Sequence, residues 1–123
     1  MKNTIIALIL LFYVVASYNT SYGDSFIDAT NASSHLGEVT TVCGKVAQVS
    51  HIDKGVILNL TYPYPNQDFS FIIWNSDLPK FSSQYGNLDM LLHRELCGRG
   101  EIKLYKRQYE RILYEPSTLK IIK

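Results

Sequence analysis

Val42-Cys43-Gly44-Lys45-Val46 and Leu96-Cys97-Gly98-Arg99-Gly100 are two similar segments that hold the chain's only two cysteines. Each cysteine lies in a strand-like stretch and is followed by glycine and then a basic residue. A glycine inside a strand marks a bulge or a sharp bend. Two cysteines in an exported chain favour one disulfide, Cys43 to Cys97. The other reading is a pair of buried, reduced thiols acting as small apolar side chains. No Cys-x-x-Cys occurs, which speaks against a thioredoxin-like redox centre.

Export is read from the N-terminus. Met1-Lys2-Asn3-Thr4 is followed by an apolar run from Ile5 to Ala16, the build of a secretory signal peptide. A membrane-spanning helix needs ~20 apolar residues, and polar Ser17, Asn19, Thr20 and Ser21 end this run too early. Small residues at Ser21 and Gly23 place cleavage before Asp24, with an earlier site at Val15 and Ser17 and an uncleaved anchor as the competing reading. The expected organisation is a signal peptide over 1–23 and one domain over 24–123, secreted or periplasmic, with no stable membrane span after cleavage. About 100 residues suffice for one small core and no more.

The net charge of +1 is unevenly distributed. From Asp24 to His93 there are three basic residues (Lys45, Lys54, Lys80) against seven acidic ones. From Arg94 to Lys123 there are eight basic residues against four. A whole-protein polybasic argument for nucleic acid therefore fails, while a local one at the C-terminal quarter survives.

Residues 24–34 are short, polar and mixed, and are expected to form a helical turn with Phe26 and Ile27 docking on the core. His35-Leu36-Gly37-Glu38 reads as a turn. Val39 to Ser50 is a β-branched strand, and Asp53-Lys54-Gly55 is a hairpin turn with glycine available for positive φ. Val56 to Leu60 is a second strand. Two prolines in Tyr62-Pro63-Tyr64-Pro65 exclude regular sheet. Phe69 to Trp74 is a third strand, followed by a loop or short helix over Asn75 to Asn87 and a helical turn over Leu88 to His93. Leu96 to Tyr105 and Glu110 to Glu115 are strands four and five, joined by Lys106-Arg107-Gln108, and Leu119 to Ile122 is a short alternating tail.

Five short strands with an irregular insert between the third and fourth indicate an all-β protein, a five-stranded OB-fold-like Greek-key barrel. In that topology strand one pairs with strand four, so Cys43 and Cys97 would face each other across adjacent strands. The neighbouring glycines would supply curvature.

His35-Leu36-Gly37-Glu38, Val42-Cys43-Gly44-Lys45-Val46, Leu58-Asn59-Leu60, Tyr64-Pro65-Asn66-Gln67, Ile73-Trp74, Lys80-Phe81 and Leu96-Cys97-Gly98-Arg99-Gly100-Glu101-Ile102 together resemble small exported bacterial OB-fold proteins, from roughly Phe26 to Ile122. The resemblance implies the fold, and by shape the nucleic-acid-binding OB class. It departs at Leu88 to His93, which is longer and more apolar than the pattern. The sequons Asn31-Ala32-Ser33 and Asn59-Leu60-Thr61 matter only in a eukaryotic secretory route, against which the resemblance speaks.

His35, His51 and His93 lack metal-ligand spacing, and no GxSxG, HExxH or phosphate loop occurs. The acids are scattered, so no enzyme, metal or cofactor is expected. OB-folds bind across strands two and three and the neighbouring loops, where bases stack on aromatics and basic groups follow the phosphates. Tyr62 and Tyr64 in the loop, and Phe69, Phe71 or Trp74 on the third strand, are the stacking candidates. By parity Phe69 and Phe71 cannot share a face with Trp74, and all three also fit a plain core. Lys103, Tyr105, Lys106, Arg107 and Arg111 form a second candidate surface, basic with interleaved tyrosines, which also fits a solvated hairpin guarded by lysines. The expected function is a non-enzymatic, monomeric binding module for single-stranded nucleic acid or another polyanion. The alternative is a cell-envelope protein-interaction module.

Overall fold

The computed structural model describes residues 25–123; the expected signal peptide lies outside them. The first described element is not the expected helical turn but a short strand, β1 (Phe26–Asp28), parallel to the next strand. The turn follows it as a 3-10 segment, Ala29–His35. Ile27 packs against the core, whereas Phe26 is exposed.

β2 (Val39–Ile52) is long enough to serve two neighbours. Its first half pairs antiparallel with β5 (Glu95–Glu101), and its second half with β3 (Gly55–Leu60). The register slips between Val46 and Gln48, so the bulge falls at Ala47 and not at Gly44. Gly44 has a different reason: a Cβ there would sit 3.0 Å from the Ala29 methyl and 3.1 Å from Leu60. Gly55 likewise has no positive φ. It is required because a Cβ would lie 2.2 Å from the Ile73 carbonyl oxygen.

β3 continues the meander into β4 (Phe69–Trp74), and β4 pairs in parallel with β7 (Gln108–Ile112). The expected fourth strand is broken at Ile102 into β5 and β6 (Lys103–Tyr105), and β6 forms a hairpin with β7. β8 (Leu119–Ile121) pairs with β5. The path runs β6-β7-β4-β3-β2-β5-β8 and is not a closed ring. Its β5 and β6 are nonetheless successive pieces of one stretch of chain, so the path returns toward its own start. This strand order, a three-strand meander with a parallel third-to-fifth pairing and an antiparallel first-to-fourth pairing, is that of an OB-like fold.

The insert between β4 and β5 is helix α1 (Leu78–Tyr85) and a 3-10 turn, Leu88–Leu91. Pro79 lies in the first turn of α1, where its missing N–H is no loss, and Gly86 ends the helix at φ 75°. The insert contributes Phe81, Leu88 and Leu91 to a core otherwise built from inward residues of the sheet, among them Val42, Leu58, Phe69, Phe71, Leu96 and Leu113. Cys43 and Cys97 stand directly opposite each other in the β2–β5 register and are joined by a disulfide.

Candidate nucleic-acid interface

Alternation along β4 decides which side chains reach the outer face. Phe69, Phe71 and Ile73 point inward and are fully buried. Ser70, Ile72 and Trp74 therefore share the opposite face. There Ser70 and Ile72 floor a groove of about 250 Å³, lined also by Gln48, Ser50 and Ile52 of β2 and by Ile57 and Asn59 of β3. Gln108 and Glu110 of β7 form a further wall, and Tyr64 stands at the lip.

The floor is a fixed polar relay. Ser70 Oγ donates to Asn59 Oδ1 at 2.7 Å, and Asn59 Nδ2 donates to Gln48 Oε1 at 2.9 Å. The same Gln48 oxygen accepts from the Tyr64 backbone N–H at 2.9 Å, which anchors the tyrosine loop to β2. The loop is closed at its base by Asp68 N–H donating to the Leu60 carbonyl. Gln67 Nε2 donates to Gln108 Oε1 at 2.8 Å and ties this loop to the β6–β7 hairpin. The two candidate surfaces, separate in the sequence, thus border one groove.

Tyr62 and Tyr64 are exposed. Trp74 is half-buried and lines a neighbouring hollow with Asp53, Lys54, Asn75 and Ser76. It is on the outer face and not in the core. At ~3.3 Å per strand residue, Ser70 and Trp74 lie roughly 13 Å apart along β4, so an aromatic ring stands toward each end of the face.

The hairpin turns on two residues, Lys106 at φ 48° and Arg107 at φ 67°. Both are left-handed, as a tight hairpin demands, although neither is glycine or asparagine. Lys106 Nζ lies 5.4 Å from the centre of the Tyr105 ring. Lys103, Tyr105, Lys106 and Arg107 are all exposed.

Arg111 is a correction. It is 1 % exposed, and so is no surface contact for a polyanion. On β7 it follows the inward parity of Tyr109 and Leu113. Its guanidinium lies over the Phe69 ring at 5.6 Å and donates through Nη1 to the Gly98 carbonyl. Burial, and secondarily the nearby Arg99, lower its pKa to about 10.

Gln48, Asn59 and Ser70 were not expected at the site, and Gln108 and Glu110 were expected only within the basic hairpin stretch from Lys103 to Arg111. A signal for two of them is present: Asn59 interrupts Leu58-Asn59-Leu60, and Ser70 interrupts Phe69-Ser70-Phe71. Glu110 is partly buried, and that burial raises its carboxyl pKa, with Lys103 opposing the shift. The histidines stay apart: His35 Nδ1 is 2.7 Å from Glu38 Oε2, and His51 Nε2 is 2.6 Å from Asp89 Oδ1. No helix among the described residues is long and apolar enough to cross a membrane.

No protein-family model and no curated protein matches the chain. Solved structures do. A chain of the Schizosaccharomyces pombe Stn1-Ten1 complex matches with a TM-score of 0.51 at 13% identity, over 68% of this chain and 57% of that one. A putative aspartyl-tRNA synthetase from Leishmania major matches with a TM-score of 0.53 at 8% identity, over 81% of this chain and 21% of that one. The protein thus corresponds to little more than half of the first and about a fifth of the second. These likenesses establish the OB-like fold.

Proposed function

We propose that the protein is a non-enzymatic, exported OB-fold module that binds single-stranded nucleic acid in the groove over β2, β3, β4 and β7. The observation that carries this reading is the Gln67–Gln108 hydrogen bond, which brings the tyrosine loop and the basic hairpin to the same groove. A base stacks on Tyr64 and a following one reaches Trp74, while Lys103, Lys106 and Arg107 contact phosphates at the hairpin end. The rigid floor relay holds the groove in shape before the ligand arrives, which limits the ordering cost of binding. Export is supported by the apolar run from Ile5 to Ala16 and by the Cys43–Cys97 disulfide, a bond that persists in oxidising compartments.

Backbone amide shift mapping tests the site. Addition of a short oligothymidylate should perturb Tyr64, Gln67, Ser70, Trp74, Lys106 and Gln108. Perturbation confined to β1, β8 and the 3-10 turn after β1 would place the ligand elsewhere. Saturable binding of a cell-envelope protein to the exposed β6 edge, where Leu104 and Tyr105 face solvent, with no response to oligonucleotide, would favour a protein-interaction module instead.

A further inference from the structure

The groove contains no basic side chain. Apart from Tyr64 and Glu110, its walls are amides, hydroxyls and aliphatic groups, so phosphates are held outside it and a base enters. At about 250 Å³ it is smaller than the ~300–1,000 Å³ of pockets for drug-sized ligands, which fits one base and not a stack. Most of its polar groups are already engaged: Ser70, Asn59 and Gln48 bond to one another, and Gln108 Oε1 accepts from Gln67. Glu110 is different. Among the described residues the ion pairs involve only His35, His51 and Lys80 as cations, and no side-chain hydrogen bond engages the Glu110 carboxylate. A partly buried acceptor-only group therefore faces the base position with its oxygens free.

We propose that Glu110 selects guanine, its carboxylate accepting from the N1–H and N2–H of one base; this rests on the single-strand-binding reading above. A carboxylate has two acceptor oxygens and no donor. Guanine presents two adjacent donors on its pairing edge and matches it. Cytosine and adenine offer an amino group beside an acceptor nitrogen, and thymine a single N–H between two carbonyls, so each sets an acceptor against the carboxylate. Hydrogen bonds to an ionised acceptor are stronger than neutral ones. Lys103, directly opposite Glu110 in the β6–β7 ladder, offsets the repulsion between this carboxylate and the ligand's phosphates.

The test is a comparison of short oligothymidylates carrying one central dG, inosine or dA, by fluorescence anisotropy, with wild type and Glu110→Gln. The dG oligonucleotide should bind about tenfold more tightly than the all-thymidine one, and inosine, which lacks N2, should fall between. Glu110→Gln should bring all of them within about twofold of one another. Equal wild-type affinity for dG and thymidine oligonucleotides overturns the guanine inference and leaves the binding reading standing. A dG preference that survives in Glu110→Gln overturns the role of Glu110. No binding of any oligonucleotide overturns both. The wild-type comparison of dG with inosine stands without any variant.

Discussion

Arg111 of β7 donates to the carbonyl of Gly98 on β5, across a seam that no β5–β7 backbone ladder closes. Room for this contact is made by glycines. A Cβ at Gly100 would come within 3.0 Å of the Arg111 side chain, and one at Gly98 within 2.5 Å of the Phe71 ring. The interior of the open side is thus filled by one long side chain and one aromatic ring, lying against strand positions that carry no side chain.

Arg111 is a structural residue, and its variants should separate volume from charge. Arg111→Ala empties the seam and should lower unfolding stability by roughly 2–5 kcal/mol, as other large-to-small core changes do. Arg111→Met should cost far less, because Nε and Nη2 have no hydrogen-bond partner and apolar replacement of a buried charge is often neutral. Denaturant unfolding checks this. Equal loss in both variants would mean that the Gly98 hydrogen bond, not packing, is what matters.

Gly98→Ala should destabilise by roughly 1–3 kcal/mol through overpacking against Phe71. Phe71→Leu in the same chain should recover part of that loss, since the two sites share one space. Additive losses in the double variant would show that the two do not compete for it.

The Cys43–Cys97 bond closes a loop with a sequence separation of 54, for which the chain-entropy model gives roughly 4 kcal/mol. Replacing both cysteines by serine should lower the unfolding midpoint and leave oligonucleotide affinity unchanged. Thiol titration of the denatured, purified protein should find no free thiol. Two titratable thiols would show that the staple does not form in the cell.

Glu110 gives a pH dependence with a definite sign. Burial raises its folded-state pKa above the ordinary 4.5, so between these two values the folded state holds more protons than the unfolded one. Stability from this group is full below pH ~4.5 and is lost as pH rises through the folded-state value. Glu110→Gln should therefore be more stable than wild type near neutrality, with the difference shrinking on acidification. A difference that is flat with pH would show that the carboxylate is fully solvated.

Much of this architecture is legible in the sequence, for local physical reasons. Phe69 to Trp74 is an apolar run, broken only by Ser70, between turn signals, and its parity alone separates Phe69 and Phe71 from Trp74. The facing cysteines follow from pairing the first strand with the fourth. Arg111 is misread because charge is a surface signal in every local pattern; only a β5 strand bare of side chains at Gly98 and Gly100 admits it to the interior. Gly44 and Gly98, read as curvature points, prove to be space for neighbours. The groove floor escapes notice because Gln48, Asn59, Ser70 and Gln108 lie far apart in sequence and meet only through register. Lone polar residues within apolar strands were the available trace.

The central claim is that this face binds single strands, with few phosphates held. Its most direct test is titration of the purified protein with a labelled single-stranded oligonucleotide at stepped salt concentrations. With Lys103, Lys106 and Arg107 as the phosphate contacts and ~0.7 counterion released per contact, log affinity against log salt should have a slope of about −2. Tyr64→Ala should weaken binding by ~5- to 150-fold without changing that slope. Absence of binding at low salt, or affinity indifferent to both salt and Tyr64, would contradict it.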